Sequence, residues 1–358
     1  MIFEESIIAN SHNGRAQWEE VLRARRAVEI VEQQHQLAAA MALGNQIAVN
    51  AGIIPEDVYQ EFDNVTVERM RLDDGDAYLN DLLPLSRSVN IGKLVSKFRR
   101  ASDAGQAQTS MTGQVGVKLD QVEYSYDGAI VPIHDTGFFR NWREWNAQQS
   151  EGFDALIDDQ RESVASLRQR MADQFLDGHV DNDGNLIVVD NVSWGGMRND
   201  SRVAQVDLGA GGINFDFTDN AQSGEDIKAA FIQLRDVLRI DNKCGKDATY
   251  YISNEIMSNF ERRFSNNYDS RKIIEELTSL MGVAAIKPTN KLSGNELMGF
   301  PLDRESVRPV VGMGINTVAM PRPNYNSNYM FAVWGAVGYQ VKTDYFGNTC
   351  ALYAADLT

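Results

Sequence analysis

Histidine is scarce in this 358-residue chain. His12, His35, His134 and His179 are the only four, and no two stand at the H-x-x-x-H spacing that lets a helix present two imidazoles to a metal. His134-Asp135 is a neighbouring pair with no G-x-S-x-G serine to serve, so it does not make a triad. The glycine clusters Trp194-Gly195-Gly196 and Gly209-Ala210-Gly211-Gly212 fit neither G-x-G-x-x-G nor the P-loop pattern, and read as turns. Asp181-Asn182-Asp183-Gly184 opens like a calcium loop, but its twelfth position is Val192 where a bidentate Glu is needed, so a tight turn is expected. Asp158-Asp159 reads as a solvated helix face rather than a catalytic pair. No enzyme, cofactor or metal site is therefore expected. Cysteine is rarer still. Cys244 and Cys350, far apart in sequence, give no disulfide framework and read as buried or free thiols in a reducing cytoplasm. No run of 18 apolar residues exists, which argues against a membrane span. Met1–Asn10 carries Glu4 and Glu5 and no basic n-region, which argues against a secretory signal. Positive charge is short overall, with 34 Lys and Arg against 50 Asp and Glu and a net charge of −16. That balance disfavours a surface that grips nucleic acid.

What is present is an ordinary globular composition, 43% hydrophobic and 23% charged, with length for about two domains. One stretch, Ser88 to Gly178, organises the rest. Its first half, Asn90 to Val131, is polar and rich in Gly, Ser, Gln and Thr. Ile91, Leu94, Val95 and Phe98 are apolar, but from Ala101 to Gly113 only Met111 is a large apolar residue, so that part cannot bury itself. Val115, Val117, Leu119 and Val122 restore period-two alternation and predict a half-buried return strand. The segment reads as an extended hairpin with a long polar tip, a rarity in compact domains unless it is functional. The second half is a helix. Phe153, Leu156, Ile157, Val164, Leu167, Met171 and Phe175 fall at three- and four-residue steps. Ser150 is its expected cap and Gly178 its stop, for about 40 Å of helix at 1.5 Å per residue. Phe138, Phe139, Trp142 and Trp145 crowd the join.

Before this stretch, Gly14 to Asn50 is strongly helical, capped by Asn13 or Ser11, with Arg15, Arg23, Arg25 and Arg26 interleaved among Glu19, Glu20, Glu29 and Glu32 as a solvated face, a DNA or scaffold contact being the alternative. A short helix follows over 55–62, a strand over 65–72 and an acidic turn over 73–76. After it, Ser223 and Asp226 resemble a capping box for a helix through Arg239. A strand is predicted over 248–252, helices over 254–264 and 270–281, and a short strand over 283–286. Further strands are predicted over 307–311, 317–320, 330–334, 338–343 and 349–354, with a hairpin turn at Gly347-Asn348.

A long polar hairpin followed by one long helix, then a compact alternating region, then returning strands, resembles the major capsid proteins of tailed phages with the Hong Kong 97-like fold. The resemblance lies in element order over nearly the whole chain. It implies an α+β fold with an N-terminal arm (1–87), an extended β-hairpin loop (88–135), a peripheral domain (136–205) holding the long spine helix (150–178), an axial domain (206–323), and return strands of the peripheral domain (324–358). It implies a virion structural protein that assembles into hexamers and pentamers of an icosahedral head around packaged double-stranded DNA, in the host cytoplasm, without gripping that DNA. Encapsulin-type cellular compartments share the fold and are the alternative, and a soluble α+β enzyme is the more distant one. No extra N-terminal scaffolding domain is evident, so a separate scaffolding protein is expected, with a portal and a decoration protein as further partners. Lysine–asparagine cross-linking is not carried over, because nothing identifies a reactive partner for Lys93, Lys97 or Lys118.

In this architecture the extended loop of one subunit lies across its neighbour. From Gly92 to Asp120 the charged residues are Lys93, Lys97, Arg99, Arg100 and Lys118 against Asp103 and Asp120, a net positive segment. The long helix carries Glu151, Asp154, Asp158, Asp159, Glu162, Asp173 and Asp177 against three arginines. The expected contact therefore joins Lys93, Lys97, Arg99, Arg100 and Lys118 of one subunit to Asp158, Asp159 and Glu162 of the next. Exposed pairs contribute only about 0–1 kcal/mol each, so they would set register more than strength.

Overall fold

The computed structural model describes Arg23 and Arg26, then residues 76–145 and 155–357 apart from 106, 113, 115, 117, 118, 266–268 and 325. Residues 71–141 and 156–358 make one compact unit. Of the other, only Arg23, Arg26, residues 142–145 and Ala155 are described. Arg23 and Arg26 are helical and exposed. The rest of the predicted N-terminal helix, the elements predicted over 55–72 and nearly all of the acidic turn lie outside the described residues.

Helix α1 (Asp76–Leu82) leads through a 3-10 turn to β1 (Arg87–Ser88), and the hairpin follows as β2 (Val95–Ala101) and β3 (Tyr124–Ile130). After β4 (Ile133–Arg140) comes the long helix α2 (Ala155–Asp177). Its expected cap, Ser150, lies outside the described residues. The predicted apolar face is buried at Leu167, Met171 and Phe175, joined by Ala172 and Leu176. Three buried donors bind its carbonyls: Tyr339 Oη reaches Met171 (2.7 Å), Tyr78 Oη reaches Ala172 (2.8 Å) and Trp194 Nε1 reaches Gln174 (3.1 Å). Each large ring thus buries its apolar body while its polar tip stays satisfied. The helix stops at Gly178, whose φ of +95° suits glycine and where a Cβ would lie 2.5 Å from the Trp194 carbonyl oxygen.

The chain continues through the small pair β5 (Val188–Val189) and β6 (Val192–Ser193), a helical turn at Gly196–Asn199, and β7 (Ala204–Asp207). Then come α3 (Gly224–Asp236) with a π-helical extension, β8 (Ala248–Ile252), α4 (Asn254–Phe260), β9 (Arg263–Ser265), β10 (Asp269–Lys272), α5 (Ile273–Thr278), β11 (Val283–Pro288) and β12 (Leu297–Phe300). The long strands β13 (Val307–Ala319) and β14 (Tyr329–Val341) and the short β15 (Leu352–Ala355) complete it. Ser223 caps α3 by accepting from the Asp226 amide, as its spacing predicts.

Five strands form one sheet in the order β11-β8-β12-β15-β7, parallel at its two outer pairings and antiparallel between. Both faces are apolar. Tyr250, Ile252, Leu297, Leu352 and Ala354 face a core with Ile227, Phe231 and Leu234 of α3, Ile256 and Phe260 of α4 and Ile273 and Leu277 of α5. Tyr251, Met298, Phe300 and Tyr353 face the other way, onto α1 and the end of α2. A sheet covered on both faces reads as continuous apolar runs, which is why β8 is buried at every residue. The second sheet has four strands in the order β1-β13-β14-β4. Strand pairing therefore cuts across the expected division at 323/324. Segment 206–323 sends β13 into the four-stranded sheet, and segment 324–358 returns β15 to the five-stranded one.

Several boundaries differ from the sequence reading for identifiable reasons. β13 and β14 each run unbroken where two shorter strands are predicted, because their glycines permit close approach instead of turning the chain. A Cβ on Gly338 would lie 1.9 Å from the Ile130 carbonyl oxygen, so β14 lies hard against the end of the hairpin. Gly338→Ala is accordingly expected to destabilise the subunit by about 1–3 kcal/mol through overpacking. A urea midpoint unchanged from wild type would contradict this contact. The return strand of the hairpin starts at Tyr124, not near Val115. Leu119 is 93% exposed, and Val115 and Val117 lie outside the described residues. The helix predicted over 254–264 gives way after Phe260 to the β9–β10 pair, and the one predicted over 270–281 is only Ile273–Thr278. Most consequentially, Cys244 and Cys350 are not separate thiols. They are joined in a disulfide with their Cα atoms 5.4 Å apart, because the Cys244 amide donates to Leu238 O (2.9 Å) and the Thr349 amide to Asn242 Oδ1 (3.3 Å).

Candidate subunit-contact surface

The hairpin pairs residue by residue from Val95–Ile130 to Ala101–Tyr124. Past Ala101 the strands part, held by Ser102, whose amide donates to Glu123 O and whose Oγ accepts from the Glu123 amide, both at 2.9 Å. Within 103–121 every residue whose exposure is described is exposed, including Met111 at 102% and Leu119 at 93%. Tyr124 and Tyr126 extend the uncovered surface along β3. Met111 and Leu119 are thus large apolar side chains held in water along an otherwise polar arm.

The root of that arm is fixed by charge. Arg202 Nη2 lies 2.7 Å from Asp200 Oδ2, and Nη1 lies 3.7 Å from Asp127 Oδ1 and donates to the Gly128 carbonyl at 3.0 Å. Asp127 and Gly128 belong to β3, so this half-buried arginine ties the arm to the 195–203 segment. Burial alone would raise the Asp200 pKa. The Arg202 hydrogen bonds and charge outweigh it and hold the carboxyl below the ordinary range.

Beside the root lies a buried histidine pair. His179 follows the helix stop, is fully buried, donates through Nδ1 to Gln174 Oε1 at 2.9 Å, and stacks on Tyr339 at 5.6 Å between centroids. His134, at the start of β4, lies 6.4 Å from it and contacts the Val337 carbonyl at 3.4 Å. Burial drives the His179 pKa from 6.5 to about 3, helped by His134 and Arg202. Burial also lowers that of His134, which Arg170 reinforces and the Val337 carbonyl and Asp135 oppose. Both rings are neutral at pH 7. Sequence spacing gave no sign of this pair, since the two residues meet only through β4, β14 and the end of α2.

The residues expected to meet a neighbour divide into two groups. Some are engaged within the subunit. Lys97 Nζ lies 3.3 Å from Asp190, and Arg100 donates to Thr343 Oγ1 at 2.8 Å and lies 3.8 Å from Asp127. Asp159 takes two hydrogen bonds from Arg140, the longer at 2.7 Å. Lys93 is exposed, Arg99 is exposed and lies over Tyr124 at 4.5 Å, and half-buried Asp158 and exposed Glu162 sit one helical turn apart on α2. Lys118 lies outside the described residues. Among the described residues, no group of three or more His, Cys, Asp or Glu is placed to hold a metal ion. None of the described helices is long and apolar enough to cross a membrane.

Hairpin arm, long helix and the two sheets together make the fold of phage capsid proteins. The capsid of Myoviridae phage XM1 superposes with a TM-score of 0.64 at 13% identity, over 86% of this chain and 100% of that one. A solved chain of Mycobacterium phage Che8 gives 0.55 at 10% identity, over 86% and 98%. The capsid of cyanophage P-SCSP1u gives 0.53 at 14%, over 87% and 97%. At such identities the likeness is one of fold. The chain itself belongs to a family of unknown function, DUF6260, which matches residues 47–354. No curated protein matches it.

Proposed function

We propose that this chain is the major capsid protein of a tailed phage, a structural subunit that self-assembles as hexamers and pentamers into an icosahedral head around packaged double-stranded DNA. The observation that carries this reading is the projecting hairpin, with Met111 and Leu119 bare, on a chain of capsid fold. The work of such a subunit is association rather than catalysis. Assembly in the host cytoplasm, with a scaffolding protein, a portal and a decoration protein, completes the proposal. The net charge of −16 suits walls that surround DNA without holding it.

Within the contact surface, Lys97, Arg100 and Asp159 fix the arm and the helix in their own subunit. Lys93, Arg99 and Lys118 then reach the neighbour, whose α2 offers Asp158 and Glu162. Protease treatment tests the arm's role. Unassembled subunits should be nicked within 103–121 first, and the same peptides should survive in sedimented particles at least tenfold longer. Equal cleavage in both states would refute an interlocking arm.

A further inference from the structure

One corner of the molecule gathers positive charge that the subunit does not balance. Arg87 of β1 pairs in register with Val310, two residues along β13 from Arg308. Lys342 follows β14, where its amide donates to Ser306 O (2.9 Å) and its Nζ to Arg304 O (3.1 Å). Among the described residues none of these four cations makes an ion pair with a carboxylate. The nearest acids, Asp303 and Glu305, both bind Lys246. Beneath them Gln340 is fully buried. Its Oε1 accepts from Arg308 Nε at 2.8 Å, and its Nε2 has no partner. The charges also act on one another. Burial and then Arg87 and Arg304 lower the Arg308 pKa, and burial and then Arg308 lower that of Lys342, with Arg87 adding to it while Glu305 and Asp303 oppose.

Of these four cations Lys342 also lines a groove of about 410 Å³ at the root of the hairpin, between Phe98–Ala101 and the segments around Lys243 and Thr343, so the corner adjoins the groove through that residue. Lys243 adds positive charge to its walls. We infer that this groove and its basic corner form a docking site for a carboxylate-bearing segment of a second copy of this chain. The inference rests on the assembly reading above and goes beyond it in placing a second contact, apart from the one on α2. Charge supplies the occupant. The chain carries 50 acidic residues for 34 basic ones, so every neighbouring copy brings an excess of carboxylates. Duplex DNA fits less well, because a groove this small does not admit a duplex about 20 Å across.

Mixed labelling tests this. Unlabelled and ¹⁵N-labelled chains are assembled together and treated with a water-soluble carbodiimide, which joins lysine amines to carboxylates in contact. Peptides from Lys342 or Lys243 joined to Asp or Glu of the other isotope are expected. A second arm replaces Arg87, Arg308 and Lys342 by Gln. Its subunit should keep the wild-type circular dichroism and form at least tenfold fewer particles. If particles form and Lys342 and Lys243 are joined only within one isotope, the docking site is wrong while the capsid reading stands. If the triple variant assembles normally and loses only retention of duplex DNA on a filter, the corner is a DNA site and the inference falls. Wild-type chains that form no particles at all would overturn both readings.

Discussion

Serine at both Cys244 and Cys350 is expected to cost the folded subunit about 4–5 kcal/mol. The disulfide spans 106 residues of sequence, and in the chain-entropy account a closed loop near 100 residues is worth about 4.7 kcal/mol. It also lies at a mechanical joint. Cys244 closes the helical end of α3, and Cys350 leads directly into β15, the strand between β12 and β7. Losing the link frees the return strand from the helices that cover its sheet. Urea midpoints of the oxidised wild type, the wild type in dithiothreitol and the double serine variant measure the effect. The last two should coincide well below the first. Three equal midpoints would mean that the cysteines do not restrain the unfolded chain.

Acid should loosen the root of the arm through His179. Its pKa is depressed in the folded state, from 6.5 to about 3, so the unfolded chain takes up the proton first as pH falls. The contribution to stability is fully present above pH 6.5 and is lost progressively from there toward pH 3. The slope is about 1.4 kcal/mol per pH unit, so about 2 kcal/mol disappears between pH 6.5 and 5, before most carboxylates titrate. The full loss is on the order of 5 kcal/mol. His134 titrates in the same sense. The charges that face the pair, Arg202 toward His179 and Arg170 and Asp135 toward His134, are dominated by the two arginines, which resist added positive charge. His179→Gln is expected to lower stability at pH 7 through loss of the Tyr339 stack, but to flatten the fall between pH 6.5 and 5. A variant with the wild-type slope would show that the proton goes elsewhere.

The sequence made the long elements legible and left the joints obscure. The apolar steps of α2, the stop at Gly178, the Ser223 cap and the strand over 248–252 follow from local rules that tertiary packing did not override. The predicted strands leave gaps at 312–316 and 335–337, but β13 and β14 run through them. A Cβ at Gly312, Gly335 or Gly338 would crowd Ala336, Met171 or the Ile130 carbonyl, close approaches that no local pattern reveals. β12 was missed because Leu-Met-Gly-Phe, buried on both faces, shows no alternation. The disulfide, the histidine pair and the basic corner share one reason for being hidden. Each joins residues from distant segments through sheet topology, as Arg87 meets Arg308 only because β1 pairs with β13. Charge counting found the positive arm and the acidic helix, but not that Arg100 and Asp159 are engaged at home with Asp127 and Arg140.

The central claim is that the exposed arm exists to join copies of this chain into a closed shell. Negative-stain electron microscopy of the purified chain, alone and with the products of its neighbouring genes, tests it most directly. The account predicts uniform closed particles with fivefold and sixfold clusters in at least one of these preparations, and loss of those particles when 103–121 is deleted. A chain that stays a 40 kDa monomer in every preparation, or shells that form as well without the arm, would contradict it.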